Sequence, residues 1–209
     1  MSTYDKGSTD EIGNEYFTIK TKTTIVKTYR YDIYILTHIE SPSEYIEFFN
    51  LLSHAKETDD IHIYINSGGG FCSTAIQMVN AMGTCEAHIT CYASGTVASA
   101  ATWIFLAGNS FIMEDDIMFM CHYYSSGFFG KGNEIESKTD FTKKFYKKYY
   151  YNIYKHFMTE DEIEKMIEGK DYYFTQKQVA KRLTKKFKIL KKLKKLEEKE
   201  KKTDDNKVD

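Results

Sequence analysis

Three short stretches of the chain carry the residue types of an acyl-transfer site. The first is Gly68-Gly69-Gly70, which follows the strand-like run IHIYI (61–65) and Asn66-Ser67. Glycine lets backbone N–H groups come close to a ligand, as an oxyanion hole requires, although most glycine runs after strands are only tight turns. The second is Gly95-Thr-Val-Ala-Ser99-Ala-Ala. A serine among small residues at a helix start projects its hydroxyl without crowding a substrate, and the helix N-terminus favours negative charge beside it. The stretch is not the G-x-S-x-G elbow, and its composition also suits close packing of two helices. The third is Cys121-His122, at the end of IMFMC (117–121). A serine nucleophile needs a base, and the base an orienting acid. With 6 histidines and 30 acidic residues in the chain, residue types alone do not select the set.

The elements that must position these residues alternate. FTIKTKTTIVKTY (17–29) and DIYILT (32–37) are rich in β-branched and aromatic residues and predict strands. Ser41 with Glu44 three residues on predicts a helix start, and apolar positions 45, 46, 48, 49, 51 and 52 continue at helical spacing. After IHIYI and its glycines, Ala75, Ile76, Val79 and Met82 share one helix face that Gly83 closes. AHITCY (87–92) is a strand, Ala93-Ser94-Gly95-Thr96 a small-residue turn, and 97–108 a buried helix ending at Gly108. FIM (111–113) and IMFMC are further strands. A long helix is predicted over 134–157, with Phe141, Phe145, Tyr149, Ile153 and Phe157 recurring every four residues. Thr159 with Glu162 forms a capping box for a helix that Gly169 stops, and a last short helix starts near Thr175. Strands and helices in alternation argue for an α/β domain.

Composition narrows the class. A hydrophobic share of 42% with 28% charged residues is enough to build a core without disulfides or a metal. A formal net charge of -1 provides no global field for nucleic acid or a membrane. The cysteines, at 72, 85, 91 and 121, form no C-x-x-C pair, which gives zinc and thioredoxin-like readings no support. The first residues lack a signal-peptide core and the longest apolar stretch is too short for a bilayer span, so a reduced cytoplasmic setting is expected. No metal or organic cofactor is implied. The expected organisation is a flexible arm over 1–16, one domain over 17–183 and a lysine-rich tail over 184–209. Seven lysines and no acid fall between Lys185 and Lys195, with Phe187, Leu190, Leu193 and Leu196 interleaved. That pattern suits a solvated, partly helical extension, or an amphipathic helix for an acidic partner or a membrane surface.

Read together, YINSGGG (64–70), SGTVASAATWIFLAG (94–108), IMFMCH (117–122) and DYYFTQKQVAKRL (171–183) resemble the Clp protease proteolytic-subunit family, with its motifs in the same order and at matching separations. Similarity runs from about Tyr31 to Leu183. The resemblance implies a ClpP/crotonase-like spiral of β-β-α units with a protruding handle helix. It implies Ser99 as nucleophile, His122 as general base and Asp171 as orienting carboxylate, with backbone N–H groups of Gly70 and Ala100 as the oxyanion hole and Gly69 supporting the turn. It also implies an acyl-enzyme mechanism on protein or peptide substrates, inside an oligomeric ring, single or stacked in two, with an unfoldase ATPase of the AAA+ class as candidate partner. Several residues depart from the family pattern. Gly68 stands for a proline, Ala100 for a methionine, and Tyr123-Tyr124 for Gln-Pro. The residues before Tyr31 do not resemble the family's axial loops, which bears on an ATPase partner more than on the chemistry.

Other classes stay open on sequence. A maturation protease of phage heads shares this fold. A catalytically silent ring subunit would not need to keep three triad residues. A crotonase-like acyl-CoA enzyme shares the spiral and the oxyanion amides without this triad.

Overall fold

The computed structural model describes residues 27–205, with side chains described to residue 198. The expected arm over 1–16, and the strand over 17–29 except for its last three residues, lie outside the described residues. Six strands, β1 (Arg30–Ile35), β2 (Asp60–Ser67), β3 (His88–Ala98), β4 (Ser110–Met113), β5 (Met118–Cys121) and β6 (Tyr172–Phe174), form one sheet. Its order is β1-β2-β3-β5-β6, with β4 also paired to β3. Every pairing is parallel except β5 with β6. β4 and β5 lie end to end along β3, the first against Thr90–Ala93 and the second against Thr96–Ala98.

Parallel neighbours need crossovers, and helices supply them. A 3-10 turn (Pro42–Tyr45) leads into α1 (Ile46–His54) between β1 and β2, α2 (Cys72–Thr84) joins β2 to β3, and α3 (Ala100–Leu106) joins β3 to β4. Then come α4 (Gly132–Tyr154), α5 (Glu160–Ile167) and α6 (Gln176–Asp205). The period-2 pattern of IHIYI sends Ile61, Ile63 and Ile65 into the core and His62 and Tyr64 outward. On that outer face Tyr34, Tyr64 and Tyr92 sit in register and stack at 4.9 and 4.4 Å. Every residue of α3 is buried, as its apolar run predicts. The architecture is the α/β domain expected from the sequence, and its sheet is mainly parallel. No described helix is long and apolar enough to cross a membrane.

Four local expectations are modified. The stretch 93–96 is no turn: β3 runs through it to Ala98 with a bulge, its pairing stepping from Ile65↔Ala93 to Ser67↔Val97. Asn66 fills the gap with its side chain, Oδ1 accepting the Thr96 N–H at 3.0 Å, so turn-like composition marked an irregular strand. Ser41 caps nothing through its side chain, and its hydroxyl accepts from Ser43 instead. On α4 the fully buried positions are Tyr150 and Tyr154, whereas Phe141 stays 70% exposed. The last helix is long, running unbroken from Gln176 to Asp205. Past position 184 it still engages the body: Lys186 Nζ donates to the Leu106 carbonyl at the end of α3, and Phe187 packs on Phe111.

The capping box forms with both hydrogen bonds, between Thr159 and Glu162. At the other end of α5, Gly169 N–H donates to Met166 O and Lys170 N–H to Lys165 O, a Schellman stop. Glu162 also takes a two-pronged contact from Arg182, at 2.6 and 2.8 Å, which ties α5 to α6. The Arg182 guanidinium also lies 4.3 Å from the Phe174 ring centroid and donates to Phe157 O. Together with the Thr159 N–H, it holds the Glu162 carboxyl down at about 2. Since the folded value lies below the ordinary 4.5, the stabilisation is complete above that pH and is lost as pH falls towards 2. Glu162→Gln keeps the cap but loses the charge. It should cost about 2 kcal/mol at neutral pH, and its deficit in urea melts should shrink as pH drops from 4.5.

Candidate active site

Parallel strands in one sheet place their carboxyl ends on one edge, where α/β folds gather their chemistry. The loops after β2, β3 and β5 therefore meet, and they contain Gly68–Gly70, Ser99 and His122. β3 pairs with β5 up to Ala98↔Met120, and the Ser99 N–H donates to Met120 O at 2.8 Å. This pairing brings the Ser99 Oγ within 2.7 Å of His122 Nε2. With Nε2 as acceptor, the imidazole is oriented to remove the hydroxyl proton. Both side chains are half-buried and reachable. Tyr150 on α4 fixes the histidine from behind, its hydroxyl donating to His122 O at 3.0 Å.

Ser99 sits at the strand-to-helix junction with φ 56 and ψ -129. A non-glycine residue in this region stores roughly 1–3 kcal/mol, which the surrounding structure must overcome. The conformation turns the side chain out of the sheet edge and starts α3 at Ala100.

The glycine turn is pinned in front of it. The Ser67 hydroxyl donates to Thr37 O at 2.6 Å and accepts the Gly69 N–H at 3.1 Å. Ile39 N–H donates to Gly69 O and Phe71 N–H to Ile39 O, both at 2.8 Å. Gly69 has φ +99, and a Cβ there would lie 2.7 Å from Ser99 Cβ and 3.0 Å from Ala100 N. The turn thus reaches Ser99 only because it lacks side chains. Among the described residues, the N–H groups of Gly70 and Ala100 have no hydrogen-bond partner; Ala100 follows Ser99 in the chain, and Gly70 follows Gly69, which closely approaches Ser99. Unpaired donors at this place suit a developing oxyanion.

Asp171 stands immediately before β6. The antiparallel register Met120↔Tyr173 and Cys121↔Tyr172, continued by one residue, sets Asp171 opposite His122. Its side chain is exposed and makes no hydrogen bond or ion pair with the imidazole. The structure therefore brings together Ser99, His122, Gly69, Gly70 and Ala100, and leaves Asp171 opposite His122 without a hydrogen bond to it.

Beside Gly70 opens a cavity of about 440 Å³, walled by Phe71, Cys72, Tyr124, Phe141, Phe145 and Tyr146. A larger one, about 820 Å³, lies between the end of α4 and α6 and includes none of the site residues. Sequence reasoning did not single out Asn66, Ser67, Tyr150 or the buried polar residues beneath Ser99. A signal for Tyr150 and Tyr154 was present in the four-residue spacing 146, 150, 154 on α4, which runs beside the aromatic series first chosen.

No curated protein matches the chain. The family model described as Clp protease matches residues 21–184, a span that includes all six strands and every site residue named above. The chain belongs to the Clp protease family.

Proposed function

We propose that this chain is a serine endopeptidase in which Ser99 is the nucleophile, His122 the general base and Asp171 the orienting carboxylate. The observation that carries the reading is the 2.7 Å contact between His122 Nε2 and the hydroxyl of a serine in a strained backbone, flanked by two unpaired N–H groups. In the first step Oγ bonds to the substrate carbonyl carbon as its proton passes to Nε2. The oxyanion is held by the Gly70 and Ala100 N–H groups. The C–N bond then breaks, His122 returns the proton to the amine, and water hydrolyses the acyl-enzyme by the same route. Asp171 closes the set by accepting from Nδ1, a contact its place opposite His122 in register supports.

The cavity beside Gly70 fits a large apolar side chain on the acyl side of the cleaved bond, and its aromatic walls favour rings. The family membership supports an oligomeric ring acting on unfolded chains. Phe129, 95% exposed just before α4, and Phe141, 70% exposed within α4, support it too, because large apolar surfaces left open mark contact faces.

The open His122–Asp171 gap favours a second reading, a ring subunit that is silent by itself. Fluorogenic peptides separate the two. Cleavage after phenylalanine, faster than after glycine or aspartate, supports the peptidase. Asp171→Asn should then lower kcat by about 10²–10⁴ with little change in KM. Wild-type rates in Asp171→Asn would remove Asp171 from the triad, and an inert assembled wild type would favour the silent subunit.

A further inference from the structure

Beneath the nucleophile lies a buried polar cluster that the mechanism above does not use. Thr102, Trp103 and Tyr154 are buried to 0%, 1% and 0% exposure. The Thr102 Oγ1 is 2.6 Å from the Ser99 carbonyl oxygen and 2.7 Å from the Tyr154 hydroxyl, which in turn is 3.0 Å from Trp103 Nε1.

The buried Cys121 thiol also lies against Thr102 and Tyr154, and donor chemistry sets the direction of the three bonds that join Trp103, Tyr154, Thr102 and Ser99. A carbonyl only accepts, so the single Thr102 hydroxyl proton goes to Ser99 O. Thr102 must then accept from Tyr154, and Tyr154 must accept from the indole N–H, which only donates. The result is a one-way chain from Trp103 through Tyr154 and Thr102 to the Ser99 carbonyl. That carbonyl also accepts the Thr102 N–H at 3.0 Å.

The Ser99 carbonyl and the Ala100 N–H are the two ends of one planar trans peptide, so they point in opposite directions. Anchoring the oxygen from below aims the hydrogen upward, into the space beside Ser99 Oγ. Chained hydrogen bonds also polarise one another, which strengthens the last donor. The Gly70 N–H is aimed by the same logic, because Ile39 N–H holds the Gly69 carbonyl of its peptide. We propose that Thr102 and Tyr154 are positioning residues of the oxyanion hole, which hold the strained Ser99–Ala100 peptide so that its N–H faces the developing oxyanion. The proposal rests on the peptidase reading, and it adds an α4 residue, Tyr154, to the parts that set the rate.

Three variants test it. Thr102→Val keeps the shape and loses the hydroxyl, and should lower kcat by about 10- to 100-fold with KM within about twofold, since the donor acts on the transition state. Thr102→Ser restores the hydroxyl and should recover most of the rate. Tyr154→Phe interrupts the chain one step further back and should reduce kcat by less than Thr102→Val. A second readout needs no activity. Trp103 is the single tryptophan of the chain, so the indole N–H band in ultraviolet resonance Raman reports the first bond directly and should move to the unbonded position in Tyr154→Phe.

Thr102→Val at the wild-type kcat, or Thr102→Ser as slow as Thr102→Val, would overturn the proposal. An unmoved indole band in folded Tyr154→Phe would overturn it too. If Tyr154→Phe does not fold, the two Thr102 variants decide the matter. A wild type inert towards the same peptides would strike the peptidase reading and the catalytic role with it, while the indole band still shows whether the chain of bonds exists.

Discussion

Ser99→Ala is expected to abolish peptide hydrolysis, by a factor on the order of 10⁴–10⁶ in kcat, and His122→Ala to cost nearly as much. The double variant should be no worse than either single one, because the two side chains act as a unit: the base has nothing to deprotonate without the hydroxyl, and the hydroxyl stays protonated without the base. The 2.7 Å contact is the physical basis of that coupling. Fold should survive. Alanine at 99 retains the backbone strain of φ 56, so Ser99→Gly is the informative companion. It should be equally inactive yet more stable by about 1 kcal/mol, as the left-handed conformation costs glycine little. Steady-state kinetics beside thermal melts check both halves. A Ser99→Ala protein that still cleaves peptides would place the nucleophile elsewhere.

Gly69→Ala should be strongly damaging although Gly69 takes no part in the reaction. The added Cβ would lie 2.7 Å from Ser99 Cβ, 2.8 Å from Ala98 O and 3.0 Å from Ala100 N, two of these contacts being with backbone that cannot swing aside. The φ of +99 adds strain for any L side chain. Relief requires the turn to back away from Ser99 and to carry the Gly70 N–H with it. The expected loss is about 10²–10³ in kcat, the usual cost of an oxyanion donor, with a stability penalty of about 1–3 kcal/mol. Gly68→Ala is the matched control: nothing lies within 4 Å of its added Cβ and its φ is not positive, so activity should barely change. Equal losses at 68 and 69 would show that the turn tolerates no bulk anywhere, and that the approach of Gly69 to Ser99 is not what matters.

Much of this site was legible in the sequence because its parts sit at element ends. IHIYI alternates cleanly and stops at glycines, IMFMC stops at a histidine, and a parallel sheet puts such ends on one edge. The capping box at Thr159 and Glu162 and the stop at Gly169 were legible for the same reason, since caps use few residue types at fixed offsets. What stayed hidden depends on partners distant in sequence. The bulge at 93–96 looks like a turn until Asn66, thirty residues earlier, is seen to hold Thr96. Tyr154 was indistinguishable from any apolar helix residue until the fold set it under Thr102. The length of α6 was underestimated because its lysines read as a solvated tail, whereas Lys186 and Phe187 carry contacts to α3 and Phe111. Asp171 shows the converse: its motif gives the position opposite His122, but motif and register do not fix its rotamer.

The most direct test of the central claim, that His122 activates Ser99, is the mass of the adduct formed with a fluorophosphonate probe in wild type and in His122→Ala. A single stable adduct, mapped to the peptide containing Ser99, is expected in the wild type, with little or none in His122→Ala or Ser99→Ala. Equal labelling of wild type and His122→Ala, or an adduct at another serine, would contradict it.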